Sequence, residues 1–258
     1  MDFYSGLAPY YDLIFPYDPV QESFLNHVLN PSSEWAGGIR DGKNPVQPNS
    51  FLDIGCATGT VLSMFTERFK RLVGIDLNER LLQLAAEKMY PGESGKVELL
   101  NGDMTALESL FPEDEFSFIT CLGNTLVHLT DPGSVTGFLT QVGNILETEG
   151  VFVFQILNYD RILAREIRGL PVILHDDVSF ERYYSLPGPD GLISFDTILE
   201  DGEKELELQS STLLNPLKKD KLLEMLHGSG FSHVSFYGDF TGSPWSPESF
   251  LTIGVCER

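Results

Sequence analysis

The sequence has few cysteines, no long apolar run and no basic leader, and each absence excludes a class of protein. Its three cysteines, Cys56, Cys121 and Cys256, are far apart and fit no CxxC spacing, so we expect reduced, mostly buried thiols rather than a disulfide framework. No stretch approaches the roughly 18 to 20 apolar residues of a membrane span, and the start lacks a basic region before an apolar one. We therefore expect a cytoplasmic protein without a membrane partner.

Basic residues are also scarce. The chain has 17 Lys and Arg against 38 Asp and Glu, a formal charge of -21 at pH 7. Such a surface repels nucleic-acid phosphates and anionic headgroups, so no nucleic-acid partner is expected. The 258 residues, 42% of them hydrophobic, suffice for one sizeable core, and a homo-oligomer remains open.

Turn-forming residues divide the chain into segments. Residues 1–30 carry apolar side chains at helical spacing and predict an N-terminal helical lid, whereas 31–49 are dense in Pro, Gly, Ser and Asn and predict a linker. From 50 to 258 strands alternate with amphipathic helices, which predicts an α/β domain with a mostly parallel sheet. An antiparallel cap is predicted as an insertion at about 170–212, where PGPDG and EDGEK separate apolar runs.

The clearest functional signal is FLDIGCATGT, residues 51–60. Gly55 and Gly59 allow a sharp turn after the first strand and a close approach of a ligand to the backbone. Asp53 can accept hydrogen bonds near the loop, and a helix with exposed N–H groups begins around Thr60. Alone, this loop predicts only a nucleotide-like ligand.

Acidic residues at two later strand ends extend this signal. The strand LVGID ends at Asp76, from which a carboxylate can bind both hydroxyls of an adenosine ribose. The next strand leads to Asp103, whose carboxylate can bind the adenine amino group, and to Met104, which can lie against the ring. Ligands of parallel sheets bind beyond the carboxyl ends of the strands, so these sites together predict an adenosine-containing cofactor.

Two classes of cofactor compete for such a site. Nicotinamide dinucleotides use a GxGxxG loop that holds a pyrophosphate, whereas this loop is GxxxG with Ala57 in place of the second glycine. S-adenosylmethionine has no phosphate, and an antiparallel C-terminal hairpin from HVSFYGDF and SFLTIGVCER also favours it. We predict S-adenosylmethionine, with S-adenosylhomocysteine as product. The alternatives are a non-catalytic module that binds this cofactor and a nicotinamide-dependent oxidoreductase.

The core from about 50 to 163 resembles class I S-adenosylmethionine-dependent methyltransferases, with FLDIGCATGT and LVGID as their first two motifs. CLGNTLVHL at 121–129 and NYDRIL at 158–163 resemble the corresponding segments of glycine/sarcosine N-methyltransferases. The resemblance implies a Rossmann-like, doubly wound, mostly parallel seven-stranded sheet. It also implies methyl transfer to a small-molecule acceptor, for which we expect nitrogen as the accepting atom.

The motifs and the resemblance together give a set of site residues. Asn124 is expected beside the acceptor, and Asn124 and His128 are the candidate catalytic residues, with His128 as a base if the acceptor is a hydroxyl. No metal site is expected. The expected cofactor contacts are Tyr11 as an aromatic lid, Asp53, Gly55, Ala57, Gly59, Asp76, Leu77, Asp103, Met104, Leu122 and His128.

One position departs from the family pattern. In glycine N-methyltransferases an arginine immediately before Asn-Tyr-Asp anchors the acceptor carboxylate, and this sequence has Leu157 there. Either another cation replaces it or the acceptor carries no carboxylate. We expect an acceptor without a carboxylate, because the arginines that could replace the anchor are more typical of solvated surfaces. They are Arg161, Arg165, Arg168 and Arg182.

Overall fold

The computed structural model describes residues 6–31, 39–40, 42–89, 96–113 and 115–258. The first five residues of the predicted lid, and residues 32–38 and 41 of the predicted linker, lie outside the described residues. Within the described part, no helix is both long and apolar enough to cross a membrane.

A seven-stranded sheet forms the centre of the molecule. Its strands are β1 (Ser50–Ile54), β2 (Arg71–Asp76), β3 (Val97–Asn101), β4 (Phe116–Cys121), β5 (Leu146–Leu157), β10 (His233–Tyr237) and β11 (Leu251–Glu257). They lie in the order β10-β11-β5-β4-β1-β2-β3. Strands β1 to β5 run parallel, and β11 lies antiparallel between β5 and β10. The predicted mostly parallel sheet and its C-terminal antiparallel insertion are thus confirmed.

Helices cover the sheet because their apolar residues recur at helical spacing. The helix Glu79–Met89, for example, buries Leu81, Leu82, Ala85 and Met89. The other α-helices are Tyr11–Ile14, Pro19–Leu29, Thr60–Ser63, Leu107–Leu110, Ser134–Ile145, Tyr159–Ala164 and Lys219–Gly228, and short 3₁₀ helices occupy Ala8–Tyr10, Met104–Ala106 and Thr125–His128.

One predicted helix is shorter than its pattern. VLSMFTERF reads as a full amphipathic helix, but α-helix is present only over Thr60–Ser63. Beyond it several amides bond three residues back, as from Phe65 to Leu62 and from Arg68 to Phe65. These tighter turns bring the rings of Phe65 and Phe69 together against Phe51 of β1, 5.6 and 5.4 Å between centroids.

A second sheet of four antiparallel strands follows β5. Its strands are β6 (Ile173–His175), β7 (Val178–Tyr184), β8 (Ile193–Asp201) and β9 (Leu206–Leu214), and we call it the cap. The N-terminal segment packs on it, with Leu7, Tyr10 and Ile14 against Phe180 and Leu199. The antiparallel sheet predicted for this region is therefore present, while the division of the chain into lid, linker and domain remains a prediction.

Gly254 of β11 tests how tightly the antiparallel insertion is packed. It lies opposite Phe154 of β5, and a Cβ atom at this position would lie 2.2 Å from the Phe154 ring. We expect Gly254→Ala to lower the free energy of unfolding by about 1–3 kcal/mol, measured by urea denaturation. The control is Gly137→Ala in the helix Ser134–Ile145, where the space is open and a gain of about 0.5–1 kcal/mol is expected. Equal effects of the two substitutions would contradict this packing.

Candidate active site

The two glycines of the first loop serve different purposes. Gly55 has a φ of 73°, and a Cβ there would lie 2.7 Å from the Thr125 side chain, so it leaves room where the loop faces the 3₁₀ helix Thr125–His128. Gly59, with a φ of 75°, would meet Met89 at 3.0 Å. It therefore allows the loop to pack on the helix Glu79–Met89 and lines neither of the cavities described below.

Asp76 at the end of β2 is oriented by backbone amides. Its Oδ2 accepts a hydrogen bond from the Ala57 amide at 2.9 Å, and its Oδ1 accepts one from the Asn78 amide at 2.8 Å. Burial raises the pKa of this carboxyl, while these amides act in the opposite direction. The carboxylate is thus held in one orientation beside the loop.

A cavity of about 360 Å³ opens at this point. It contains the predicted cofactor residues Asp76, Leu77 and Met104. Asp103 does not line it: its exposed carboxylate caps the 3₁₀ helix Met104–Ala106 by accepting bonds from the Thr105 amide and hydroxyl, both at 2.8 Å. The predicted contact of Asp103 with an adenine amino group therefore remains a prediction.

A larger cavity of about 610 Å³ lies between the strand ends and the cap. Of the predicted residues it holds Asp53, Leu122 and Asn124, together with Leu157. Both cavities share one set of lining residues, so they adjoin at this set. The shared residues are Tyr11, Gly55, Ala57, Gly123 and His128.

Asn124 lines the larger cavity, but its amide is already engaged. Its Oδ1 accepts a bond from the Leu157 amide at 3.0 Å, and its Nδ2 donates to the buried Tyr159 hydroxyl at 3.0 Å. The residue has a left-handed φ of 68°, a conformation that Asn adopts more readily than most residues. Asn124 therefore fixes the loop after β4 against the end of β5.

His128 and Asp53 are two of the titratable groups that line the larger cavity. Burial lowers the pKa of His128, which favours the uncharged imidazole at neutral pH. Burial raises the pKa of Asp53 to about 7, although its Oδ1 accepts a bond from the Thr120 hydroxyl at 2.6 Å. Asp53 therefore titrates in the pH range in which proton transfer is useful, and His128 is available as an uncharged imidazole.

Several residues that line the larger cavity were not among the predicted site residues. Arg182 and Thr197, from β7 and β8 of the cap, face it, and Gln155 of β5 holds the Gly123 amide at 2.9 Å. The expectation that Arg182 belongs to the solvated surface is wrong, because this side chain lies in the same cavity as Leu157. The signal available in the sequence was the alternation of Phe180, Arg182 and Tyr184 along one strand.

The donor set of the smaller cavity fits S-adenosylmethionine better than a dinucleotide. A pyrophosphate would need free loop amides, but the Ala57 amide is bonded to Asp76. The Asp76 carboxylate near the loop would repel phosphate and favour a cationic sulfonium. Asp76 has the position and charge to accept hydrogen bonds from ribose hydroxyls.

Comparison with known proteins agrees with this fit. Residues 51–150 match the family model described as a methyltransferase domain. The chain is 30% identical to a glycine/sarcosine N-methyltransferase of Aphanothece halophytica, over 57% of this chain and 53% of that one. It is 28% identical to a ubiquinone biosynthesis O-methyltransferase of Thiobacillus denitrificans, over 55% and 57% of the two chains. It therefore spans about half the length of these curated relatives.

The fold is also that of solved methyltransferases. The CcbJ methyltransferase of Streptomyces caelestis superimposes with a TM-score of 0.78 at 19% identity, over 99% of this chain and 98% of that one. At this identity the similarity concerns the fold. Residues 51–150 thus match a methyltransferase domain, and they lie within a fold shared with solved methyltransferases.

Proposed function

We propose that this chain is an enzyme that transfers a methyl group from S-adenosylmethionine to a nitrogen atom of a small-molecule acceptor. The observation that carries the proposal is the junction of the two cavities at Gly55, Ala57 and His128. One cavity contains the oriented Asp76 carboxylate, and the other is large enough for a separate small molecule. A module that only binds the cofactor would not need the second cavity.

The chain's own residues have a limited chemical task in this reaction. The bound cofactor supplies a methyl group that is already activated by the positive charge of its sulfonium. The protein must align the acceptor and exclude water. Asn124 and Gln155 fix the loop after β4, and Tyr11 contributes to the walls of both cavities.

The walls of the larger cavity support an amine as the acceptor. The aromatic rings of Tyr11, Phe180 and Phe195 line it, and ring faces attract cationic amines. The relative from Aphanothece halophytica is named as an N-methyltransferase, which also supports nitrogen.

A hydroxyl acceptor is the second candidate, and His128 favours it. A hydroxyl needs a base to remove its proton, and an imidazole kept uncharged by burial can act as one. The relative from Thiobacillus denitrificans is named as an O-methyltransferase.

The cofactor site is tested by Asp76→Ala. Since the carboxylate can accept two charge-assisted hydrogen bonds from ribose hydroxyls, we expect the substitution to weaken S-adenosylhomocysteine binding by about 100-fold or more, measured by titration calorimetry. The control is Glu98→Gln, which removes a β3 acid paired with Arg71 and should leave binding unchanged. Unaltered binding in Asp76→Ala, or a fluorescence response of the wild type to NADH, would contradict the assignment.

The accepting atom is tested by His128→Gln. If nitrogen is the acceptor, we expect less than about a 10-fold loss in kcat, whereas a base for a hydroxyl would be worth about 10²–10⁴. The measurement is S-adenosylhomocysteine production from paired acceptors that differ only in an amine or a hydroxyl group. Mass spectrometry of the methylated product identifies the atom, and an O-methylated product would refute the nitrogen assignment.

Asp53 should make stability depend on pH. Its pKa is raised from 3.8 to about 7 in the folded state, so the folded protein binds more protons than the unfolded chain between these values. The contribution of Asp53 to stability is therefore greatest below pH 4 and is lost as the pH rises to 7, by on the order of 4 kcal/mol at most.

Asp53→Asn removes this titration and retains an oxygen that can accept the Thr120 hydrogen bond. Urea unfolding of the two proteins at pH 5 and pH 8 should show the substituted protein gaining relative stability at the higher pH. A difference between them that does not change with pH would show that Asp53 is ionised throughout.

A further inference from the structure

One face of the cap carries a single charged residue among apolar neighbours. Across β7 and β8, Arg182 lies directly opposite Thr197, and the pairs on either side are Phe180 with Leu199 and Tyr184 with Phe195. Opposed residues two apart along antiparallel strands share one face of the sheet. Of these six side chains only that of Arg182 is charged. Its position is therefore not that of an ordinary surface arginine.

Both members of the Arg182–Thr197 pair line the larger cavity, and each has a buried polar atom without a hydrogen-bond partner. These atoms are Nε of Arg182 and Oγ1 of Thr197, for which the described part of the chain offers no partner. Thr197 is only 3% exposed. A buried donor that lacks a partner costs about 1–3 kcal/mol, so such a pair calls for an explanation.

The Arg182 guanidinium is held in place by its surroundings. Nη2 donates to the Pro171 carbonyl at 2.6 Å, and the guanidinium carbon lies 5.6 Å from the centre of the Phe180 ring. These two contacts already limit the movement of the guanidinium, so less side-chain entropy would be lost when a ligand binds. They leave other N–H groups of the guanidinium for an acceptor.

Acidic and basic residues line different parts of the cavity, and Asp18 of the N-terminal segment is one of the acidic ones. Asp53 lies at the end of β1, beside the loop, whereas Arg182 lies on the cap. Among the described lining residues, Arg182 is the only Lys or Arg. Arg165 is exposed and pairs with Glu248 at 2.7 Å, and Arg161 stacks at 5.9 Å over the Phe250 ring. A ligand with one cationic and one anionic end would be oriented by this field.

We propose that Arg182 and Thr197 form a subsite for an oxyanion of the methyl acceptor, either a carboxylate or a phosphate on the same molecule as the accepting nitrogen. The guanidinium and the hydroxyl both donate to the anionic oxygens. This assignment rests on the proposed function, because it defines the acceptor class of the same cavity. It reverses the expectation, drawn from Leu157, that the acceptor has no carboxylate.

The test measures anion binding at the subsite without requiring the complete acceptor. Protein saturated with S-adenosylhomocysteine is heated in a scanning calorimeter with acetate, inorganic phosphate or neutral acetamide, at constant ionic strength set by chloride. A ligand that binds only the folded state raises the Tm, by about 2 °C or more once its concentration exceeds Kd several-fold. We expect a rise with acetate or phosphate and none with acetamide. The anion that gives the larger rise identifies the group.

Variants assign the rise to the subsite. Arg182→Gln should abolish it, Arg182→Lys should retain part of it, and Thr197→Val should reduce it while preserving side-chain volume. The control is Arg165→Gln, which removes an exposed arginine outside the cavity and should behave like the wild type. If Arg182→Gln does not fold, the lysine and valine variants still decide the result.

The outcomes separate this proposal from the proposed function. An equal rise in Arg182→Gln and the wild type, or no rise with either anion in the wild type, overturns the subsite. Failure of the wild type to bind S-adenosylhomocysteine in the preceding calorimetric titration overturns the proposed function itself. Retained cofactor binding with an anion effect that depends on Arg182 supports both.

Discussion

The hydrogen bond from the Ala57 amide to the Asp76 carboxylate determines the shape of the site. Strands β1 and β2 are parallel neighbours, and the amides of Gly55 and Cys56 both bond to the Ile75 carbonyl next to Asp76. The loop therefore leaves β1 attached to the end of β2. This attachment orients the carboxylate, removes an amide that a phosphate would need, and places Gly55 where both cavities begin.

The N-terminal segment connects this loop to the cap. Asp12 accepts a bond from the Thr58 hydroxyl at 2.5 Å and pairs with Lys88 at 2.8 Å, while the Tyr10 hydroxyl donates to Asp201 of β8 at 2.6 Å. Exposed ion pairs contribute little by themselves. The contacts to Tyr10 are buried, however, and Tyr11 lies between the two attachments, where it lines both cavities. The position of Tyr11 thus depends on the loop and on the cap together.

The parts of the fold and of the site that are determined by neighbouring residues could be predicted from the sequence. The order of strands and helices, the glycine loop and the strand-end acid Asp76 follow from patterns that the chain displays within a few residues. Asp103 is a partial exception, because a short carboxylate competes for nearby backbone amides and here caps its own turn. For Arg182 the alternation with Phe180 and Tyr184 indicates only a shared strand face. Its environment depends on the register between β7 and β8 and on where the cap lies relative to β5, which no local pattern specifies.

Glycine N-methyltransferases have an arginine immediately before Asn-Tyr-Asp, where this chain has Leu157 and instead carries Arg182 on the cap. This difference changes which part of the fold would hold the acceptor. A cation at the end of β5 would be attached to the central sheet, whose position is fixed by its neighbours on both sides. A cation on β7 is attached to the cap, which is joined to the N-terminal segment through Asp201 and Tyr10. With the proposed subsite, the cap and the strand ends together complete the acceptor site. Tyr11, on the N-terminal segment that joins them, lines both cavities.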